Sequence, residues 1–262
     1  MIKAQNLSFR LGSKYLIKQI DLHISRGKFW ALVGPNGAGK SPLFNLLAGD
    51  LKPSMGSIRL NGRLIQNYTA TELARTRAYL LQQRQVEFPF KVLDIVLLGR
   101  SPYLSGSKES IVDRTQAYVA LKRLDSEEFS DRIYPTLSGG EASRVDMARI
   151  ITQDTELLLL DEPSNHLDPR HQIRLLEICQ SLTLENRTIM AAMHDLNLAS
   201  LFADQIVMLN HGQIVAVGSP NQVFTKNKLE EAYQLKFEII KHSSGRPLII
   251  PKMSAQPGIK PA

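Results

Sequence analysis

The sequence predicts an α/β protein built on a largely parallel, doubly wound sheet, and three observations carry that expectation. Short apolar runs recur at residues 29–33, 157–160, 188–193 and 206–209, with helix-like segments ahead of those at 157 and 188. A glycine-rich octapeptide, Gly34-Pro35-Asn36-Gly37-Ala38-Gly39-Lys40-Ser41, follows the first run directly. The run at 157–160 ends in two adjacent acids, Asp161 and Glu162.

Taken in order, the first sixty residues alternate β-type runs (2–9, 16–24, 29–33 and 56–60) with turn signals, Asn61-Gly62 marking a tight turn, so a mixed sheet is expected there. After Phe88-Pro89-Phe90 the pattern turns helical, with Val92, Ile95, Val96 and Leu97 and then a segment over 111–124. That stretch, about residues 84–153, reads as a helical insertion. Runs at 206–209 and 213–217 are split by Asn210-His211-Gly212. One domain is expected over 1–240, followed by a loosely packed tail at 241–262 that is rich in Ser, Pro and Gly. No repeat of fixed period is found.

Composition narrows the function classes. At 262 residues with 43% hydrophobic residues and 16 glycines, the chain falls in the globular range and is not disordered or collagen-like. No apolar run approaches the roughly 18 residues of a membrane span, and the first residues lack a secretory layout, so a cytosolic protein is expected. The single cysteine, Cys179, forms neither an internal disulfide nor a zinc cage. A net charge of +7 suits nucleic acid, an anionic surface or polyphosphate. The basic residues are spread out with no aromatic-interleaved tract, which favours a solvated basic surface and no nucleic-acid partner.

In the octapeptide, glycines let successive backbone N–H groups converge on phosphate oxygens, Lys40 reaches the β- and γ-phosphates, and Ser41 offers a hydroxyl to Mg²⁺. Pro42 follows, with neither an N–H nor a hydroxyl to hold phosphate, though proline is tolerated in a helix's first turn. Asp161, emerging beside the loop, is placed to hold Mg²⁺, and Glu162 to polarise a water for in-line attack; a strand-end acid that caps a helix is the plainer alternative. Leu137-Ser138-Gly139-Gly140-Glu141 reads as a capping box, Ser138 to Glu141, whose glycines also bare the helix N-terminus as an anion site. One of these helix ends lies in the core and the other in the helical insertion. A head-to-tail pair of chains could therefore close both on one nucleotide.

With these residues in place the chain resembles the ATP-binding subunits of ABC transporters over nearly its whole length. The order carries the resemblance: phosphate loop 34–41, a glutamine loop near Gln82, the signature 137–141, the Walker B run 157–162, a D-loop Ser164-Asn165-His166-Leu167-Asp168, and a switch histidine, His194. It implies a RecA-like P-loop NTPase core with an antiparallel β subdomain and a helical subdomain. It further implies ATP and Mg²⁺ as cofactors, and a homodimer in which Ser138, Gly139 and Gly140 of one copy contact the γ-phosphate held by Lys40 of the other. By the same resemblance Gln82 senses Mg²⁺ or the attacking water, His194 bridges to the γ-phosphate, and Asp168 aligns the site across the dimer. Gln83 leaves the register of Gln82 open, and residues 167–169 equally read as a helix-start turn. His166 and His171 lack further ligands spaced to close a metal cage.

Residues 75–78, 88–103 and 194–199 are similar to the importers of iron chelates, heme and vitamin B12. That likeness implies a membrane-spanning permease dimer, an indirect periplasmic substrate-binding protein, a place on the cytoplasmic face of the inner membrane, and hemin as cargo, with a ferric siderophore or vitamin B12 as alternatives. Three departures stand out. Pro42 occupies a position usually threonine, Leu11 stands where an aromatic usually stacks on adenine, with Phe9 or Tyr15 as substitutes, and Ala142 and Ser143 replace the usual glutamines. Pro42 also admits a regulatory nucleotide-binding subunit with a weakened loop, and the composition admits a soluble ABC ATPase.

Overall fold

The computed structural model describes residues 1–81, 88–104, 108–165 and 167–252. In chain order the amino-terminal part comprises β1 (Ile2–Leu11), β2 (Lys14–Ile24), β3 (Phe29–Val33), α1 (Lys40–Ala48), β4 (Met55–Leu60), β5 (Arg63–Leu64), α2 (Ala70–Thr76) and β6 (Arg77–Leu80). Three helices follow: α3 (Val92–Leu97), α4 (Ile111–Arg123) and α5 (Gly139–Thr152). Next come β7 (Leu157–Asp161), α6 (Pro169–Leu184), β8 (Thr188–Ala192), α7 (Leu196–Phe202), β9 (Gln205–Asn210) and β10 (Gln213–Gly218). The chain continues through α8 (Pro220–Val223) and α9 (Lys226–Tyr233) into β11 (Phe237–Lys241) and β12 (Pro247–Pro251).

The central sheet runs β10-β9-β3-β8-β7-β6, with β9 through β6 parallel and β10 an antiparallel edge. Every residue of β3, β7 and β8 is buried, the mark of parallel strands covered on both faces, which is why their sequences are near-continuous apolar runs. Alternation then sorts the side chains between two cores. Phe29, Ala31, Val33, Leu158 and Leu160 join α3, α5 and α6 on one face. Trp30, Leu32, Leu157 and Leu159 meet Leu43, Phe44 and Leu47 of α1 on the other.

Helix α1 is thus roofed by a second, antiparallel sheet, β2-β1-β4-β5, through Ile2, Leu7, Ile17, Ile20 and Leu60. The expected turns form: Asn61 and Gly62 between β4 and β5, and His211 and Gly212 between β9 and β10, take the paired positive φ of a type I′ hairpin (49° and 83°; 48° and 77°).

Two regions depart from the sequence reading. Strand β6 was not expected, because four residues directly after a helix carry too little alternation. The parallel ladder to β7 creates it, and Arg77 anchors its start by donating to the Ala48 carbonyl (2.8 Å) and pairing with Asp50 (2.7 Å). Of the tail expected to be loose over 241–262, the residues to 251 belong to an ordered hairpin that spans 237–251, with Phe237 and Ile249 each 3% exposed. Its Ser-Ser-Gly composition is turn chemistry. The Ser200 hydroxyl donates to the Pro247 carbonyl (2.6 Å) and Arg246 donates to the Ser200 carbonyl (2.7 Å), docking the hairpin on α7.

The helical segment is braced by one buried ion pair. Arg100 meets Asp113 at 2.8 Å, each side chain 11% exposed, and also reaches the Thr152 carbonyl at the end of α5 (3.2 Å). The Ser110 hydroxyl and backbone N–H, with Arg100 behind them, hold the Asp113 carboxyl down at about 2. A carboxyl lowered in the folded state stabilises above its unfolded pKa of roughly 4 and ceases to do so as pH falls through the folded value. Equilibrium unfolding of Asp113→Asn should therefore show a flatter acid arm between about pH 4 and 2. At neutral pH, Asp113→Ala is expected to cost about 3 kcal/mol by stranding Arg100.

Candidate active site

The carboxyl ends of three adjacent parallel strands, in the order β3, β8 and β7, converge on one region, which in open α/β sheets is where ligands bind. From β3 the glycine loop leads into α1. Gly34 (φ 155°) lies so close to the neighbouring hairpin that a Cβ there would sit 2.1 Å from the Leu209 carbonyl oxygen. Gly39 (φ 104°) is the N-cap of α1, where a Cβ would come within 2.8 Å of the Leu16 carbonyl. Gly34 and Gly39 therefore answer to close backbone approach, whereas Gly37 has open space around it and answers to its positive φ (77°).

Helix α1 has no side-chain cap and no acid in its first turn, so its leading N–H groups are left for an anion. Pro42 is its third residue, Ser41 is helical before it, and the first intrahelical bond runs from Leu43 to Gly39 (3.0 Å). The proline is therefore tolerated by the fold, yet it removes one donor from the exposed set.

Lys40 is 6% exposed and folds back on the loop, donating from Nζ to the carbonyls of Gly34 (2.8 Å) and Pro35 (3.4 Å). Burial pushes its pKa down, while Glu162 and Asp161 pull the other way. From the end of β7, Asp161 is 3% exposed and its Oδ1 has no hydrogen-bond partner among the described residues. Desolvation raises its pKa, opposed first by the Ser41 hydroxyl beside it. A buried acid oxygen without a donor, next to a hydroxyl, is a donor set that fits a hard divalent cation.

Glu162, one residue on, takes a left-handed backbone (φ 54°), and its side chain is only 7% exposed. Its carboxylate contacts His194 Nε2 on one oxygen and accepts from Asn165 Nδ2 on the other. His194 itself follows β8 and is 43% exposed, and the next residue, Asp195, caps α7 by accepting from the N–H groups of Asn197 (2.8 Å) and Leu198 (2.9 Å). A cavity of about 770 Å³ opens over this assembly, lined by Lys14, Leu16, Asn36, Lys40, Glu162 and His194 together with Gly37, Gly39, Ser41 and Pro42.

The structure thus brings together residues 34–42, Asp161, Glu162 and His194. It does not bring in Ser138, Gly139, Gly140 or Asp168, none of which lines the cavity. Ser138 is the N-cap of α5 in a full capping box: its N–H donates to Glu141 Oε2 (2.7 Å), its Oγ accepts from the Glu141 N–H (3.4 Å), and Arg132 meets Glu141 (2.9 Å). Asp168 is the N-cap of α6, accepting from the His171 N–H (3.0 Å), and that residue holds it below the usual carboxylate range. Gln82, Gln83 and His166 lie outside the described residues. No cluster of three or more potential metal-ligating His, Cys, Asp or Glu occurs among the described residues.

Sequence reasoning missed Lys14 and Leu16, which reach the cavity only because β2 crosses over the loop. Of the aromatics suggested for that wall, Phe9 is half-buried against the core and Tyr15 is 42% exposed, and neither lines the cavity. Leu11 is 67% exposed and stands outside it too.

A bare helix N-terminus behind a glycine loop, with a buried acid and a carboxylate–histidine pair opposite, defines a nucleoside triphosphatase of the P-loop class. The ABC transporter family matches residues 17–165, and the chain belongs to that family, as an ABC-type transport ATPase that binds nucleotide. The hemin import ATP-binding protein HmuV of Rhodopseudomonas palustris (strain BisB18) is 40% identical over 260 residues, covering 96% of this chain and 95% of that protein. Its counterpart from Gloeobacter violaceus is 38% identical over 269 residues, covering 98% of each. Among solved structures, a chain of an inward-facing metal-chelate type ABC transporter superposes with a TM-score of 0.83 at 26% identity, covering 96% of this chain and 97% of that one. The dimeric ATP-binding cassette MJ0796 bound to ADP and Pi superposes at 0.76 with 24% identity, covering 84% and 98%, and shares the fold.

Lys40→Ala removes a buried cation whose hydrogen bonds, among the described residues, go to two loop carbonyls. We expect the melting temperature to stay near wild type while ATP affinity falls about 100-fold, the loss of one or two charge-assisted phosphate bonds, as read by calorimetric titration.

Proposed function

We propose that this chain is the ATP-hydrolysing subunit of a bacterial hemin importer, working as a head-to-tail homodimer on the cytoplasmic face of the inner membrane beneath a permease dimer. The cargo reading rests on the two HmuV relatives, which match over nearly the whole length of both chains. No helix among the described residues is long and apolar enough to cross a membrane, and in this reading a membrane-spanning partner provides the path for cargo. A periplasmic binding protein completes the proposed importer.

The observation that carries the dimer is the separation of Ser138, Gly139 and Gly140 from the cavity that holds Lys40. In this reading the triphosphate lies on the N–H groups of residues 37–41 with Lys40 on its outer phosphates, and a second copy supplies its signature helix end and Asp168 across the γ-phosphate. Ser41 and the unpartnered oxygen of Asp161 would hold Mg²⁺, with Gln82 as a further ligand, and the metal would neutralise charge on the β- and γ-phosphates. Glu162 takes the proton of the attacking water. Asn165 and His194 fix the orientation of its carboxylate, and His194 is exposed enough to face the γ-phosphate. The nucleoside end falls on Lys14 and Leu16, an aliphatic and cationic wall in place of a ring.

Glu162→Gln should lower ATP turnover by about 10³-fold while the protein still dimerises on ATP in size-exclusion chromatography; full turnover in that variant would remove Glu162 as the base. Pro42→Thr restores a phosphate donor and is expected to tighten ATP binding about tenfold. Unchanged affinity would show that the proline does not weaken the loop. For the cargo, ATPase activity of the complex with its permease and binding protein in proteoliposomes should rise with hemin. Stimulation by a ferric siderophore or vitamin B12 instead would reassign the substrate.

A further inference from the structure

We infer that His171, which the active-site reading leaves unused, is a positioning residue that ties the signature helix to Asp168 within one chain. Arg144 lies on α5, less than two turns beyond Ser138, and its Nη1 sits 3.0 Å from His171 Nε2. On its other side the His171 ring presents Nδ1 to Asp168 Oδ2 at 2.7 Å. A guanidinium only donates, so Nε2 is the acceptor and the ring proton belongs on Nδ1, where it is donated to the carboxylate. The imidazole is therefore a directional link from α5 to Asp168.

Both ends of the link are anchored. Arg144 also donates to the Asp125 carbonyl (3.0 Å) and lies over the Phe129 ring (5.2 Å to the centroid). Asp168 caps α6 through the His171 backbone N–H as well, so residue 171 grips that carboxylate with both main chain and ring. With its partners held in this way, His171 transmits any rotation of α5 to Asp168 and the reverse.

The consequence rests on the dimer reading above. If the signature helix end and Asp168 of one copy both face the nucleotide of the other, His171 is what makes them arrive in register. It touches no nucleotide itself, and acts through the two groups that do.

The test uses the full-length chain as His171→Ala, His171→Gln and Arg144→Lys, with the alanine change also made in the Glu162→Gln background. His171→Ala should lower kcat at least tenfold with KM for ATP within about twofold, because its own phosphate loop is untouched. ATP-driven dimerisation of Glu162→Gln should weaken by a similar factor. His171→Gln, which keeps one donor and one acceptor on a planar group, should recover most of the activity. Arg144→Lys, too short to reach the ring, should behave like the alanine variant, and combining the two should cost no more than either alone. A helix cap with no wider role predicts a lower melting temperature with wild-type kcat, and that result overturns the inference. So do losses that multiply in the double variant. Should His171→Ala fail to fold, Arg144→Lys decides by the same two readouts. If the Glu162→Gln parent does not dimerise on ATP at all, the dimer reading itself falls, and this inference with it; a parent that dimerises beside an unaffected His171→Ala variant sinks the inference alone.

Discussion

Everything at this site depends on a helix that begins without a cap. Helix α1 opens on a glycine, carries no acid in its first turn, and starts where the loop passes within contact of two neighbouring carbonyls. A Ser or Asp at residue 39 would satisfy those amides from within and close the anion site; a Cβ there would also strike the Leu16 backbone. The cost of an uncapped end is offset by burial, since α1 lies between two sheets with Leu43, Phe44, Leu46 and Leu47 wholly enclosed.

Three other helices of the chain begin differently. Helices α5, α6 and α7 start on Ser138, Asp168 and Asp195, and each of those side chains accepts a bond from its own helix. At α5 the reciprocal bond with Glu141 secures the first turn, while the two glycines leave backbone unshielded beside it. In the proposed dimer those same five residues would both secure the helix and meet the partner's nucleotide. The charged pair of Glu141 with Arg132 then fixes the outward face of that turn.

Opposite the loop, the chain accepts local strain and desolvation. Glu162 adopts a positive φ that non-glycine residues seldom take, and Asp161 keeps in a buried place an oxygen with no hydrogen-bond partner among the described residues. The strand that presents them is enclosed on both faces and paired with β8 residue for residue as far as Asp161, which fixes the backbone from which both acids project. Such costs fit a site arranged for a ligand of opposite charge rather than for the resting protein.

Much of this was legible from residues alone. The parallel core strands announce themselves because burial on both faces demands uninterrupted apolar runs, and the loop announces itself because only glycines permit its backbone. The capping box at Ser138 was equally plain, since it is a local pattern. Strand β6 was not legible, for its identity comes from the ladder it joins rather than from four residues of its own. Nor was the hairpin at residues 237–251, whose turn composition resembles that of a frayed end until Phe237 and Ile249 are seen to pack. Lys14 and Leu16 over the loop, His194 on Glu162, and Arg144 on His171 are likewise contacts between segments. Sequence determined which local chemistries were present, because backbone conformation and apolar period are short-range properties. The tertiary structure alone decided which of them meet, because side-chain contacts across strands and helices depend on packing that no single segment encodes.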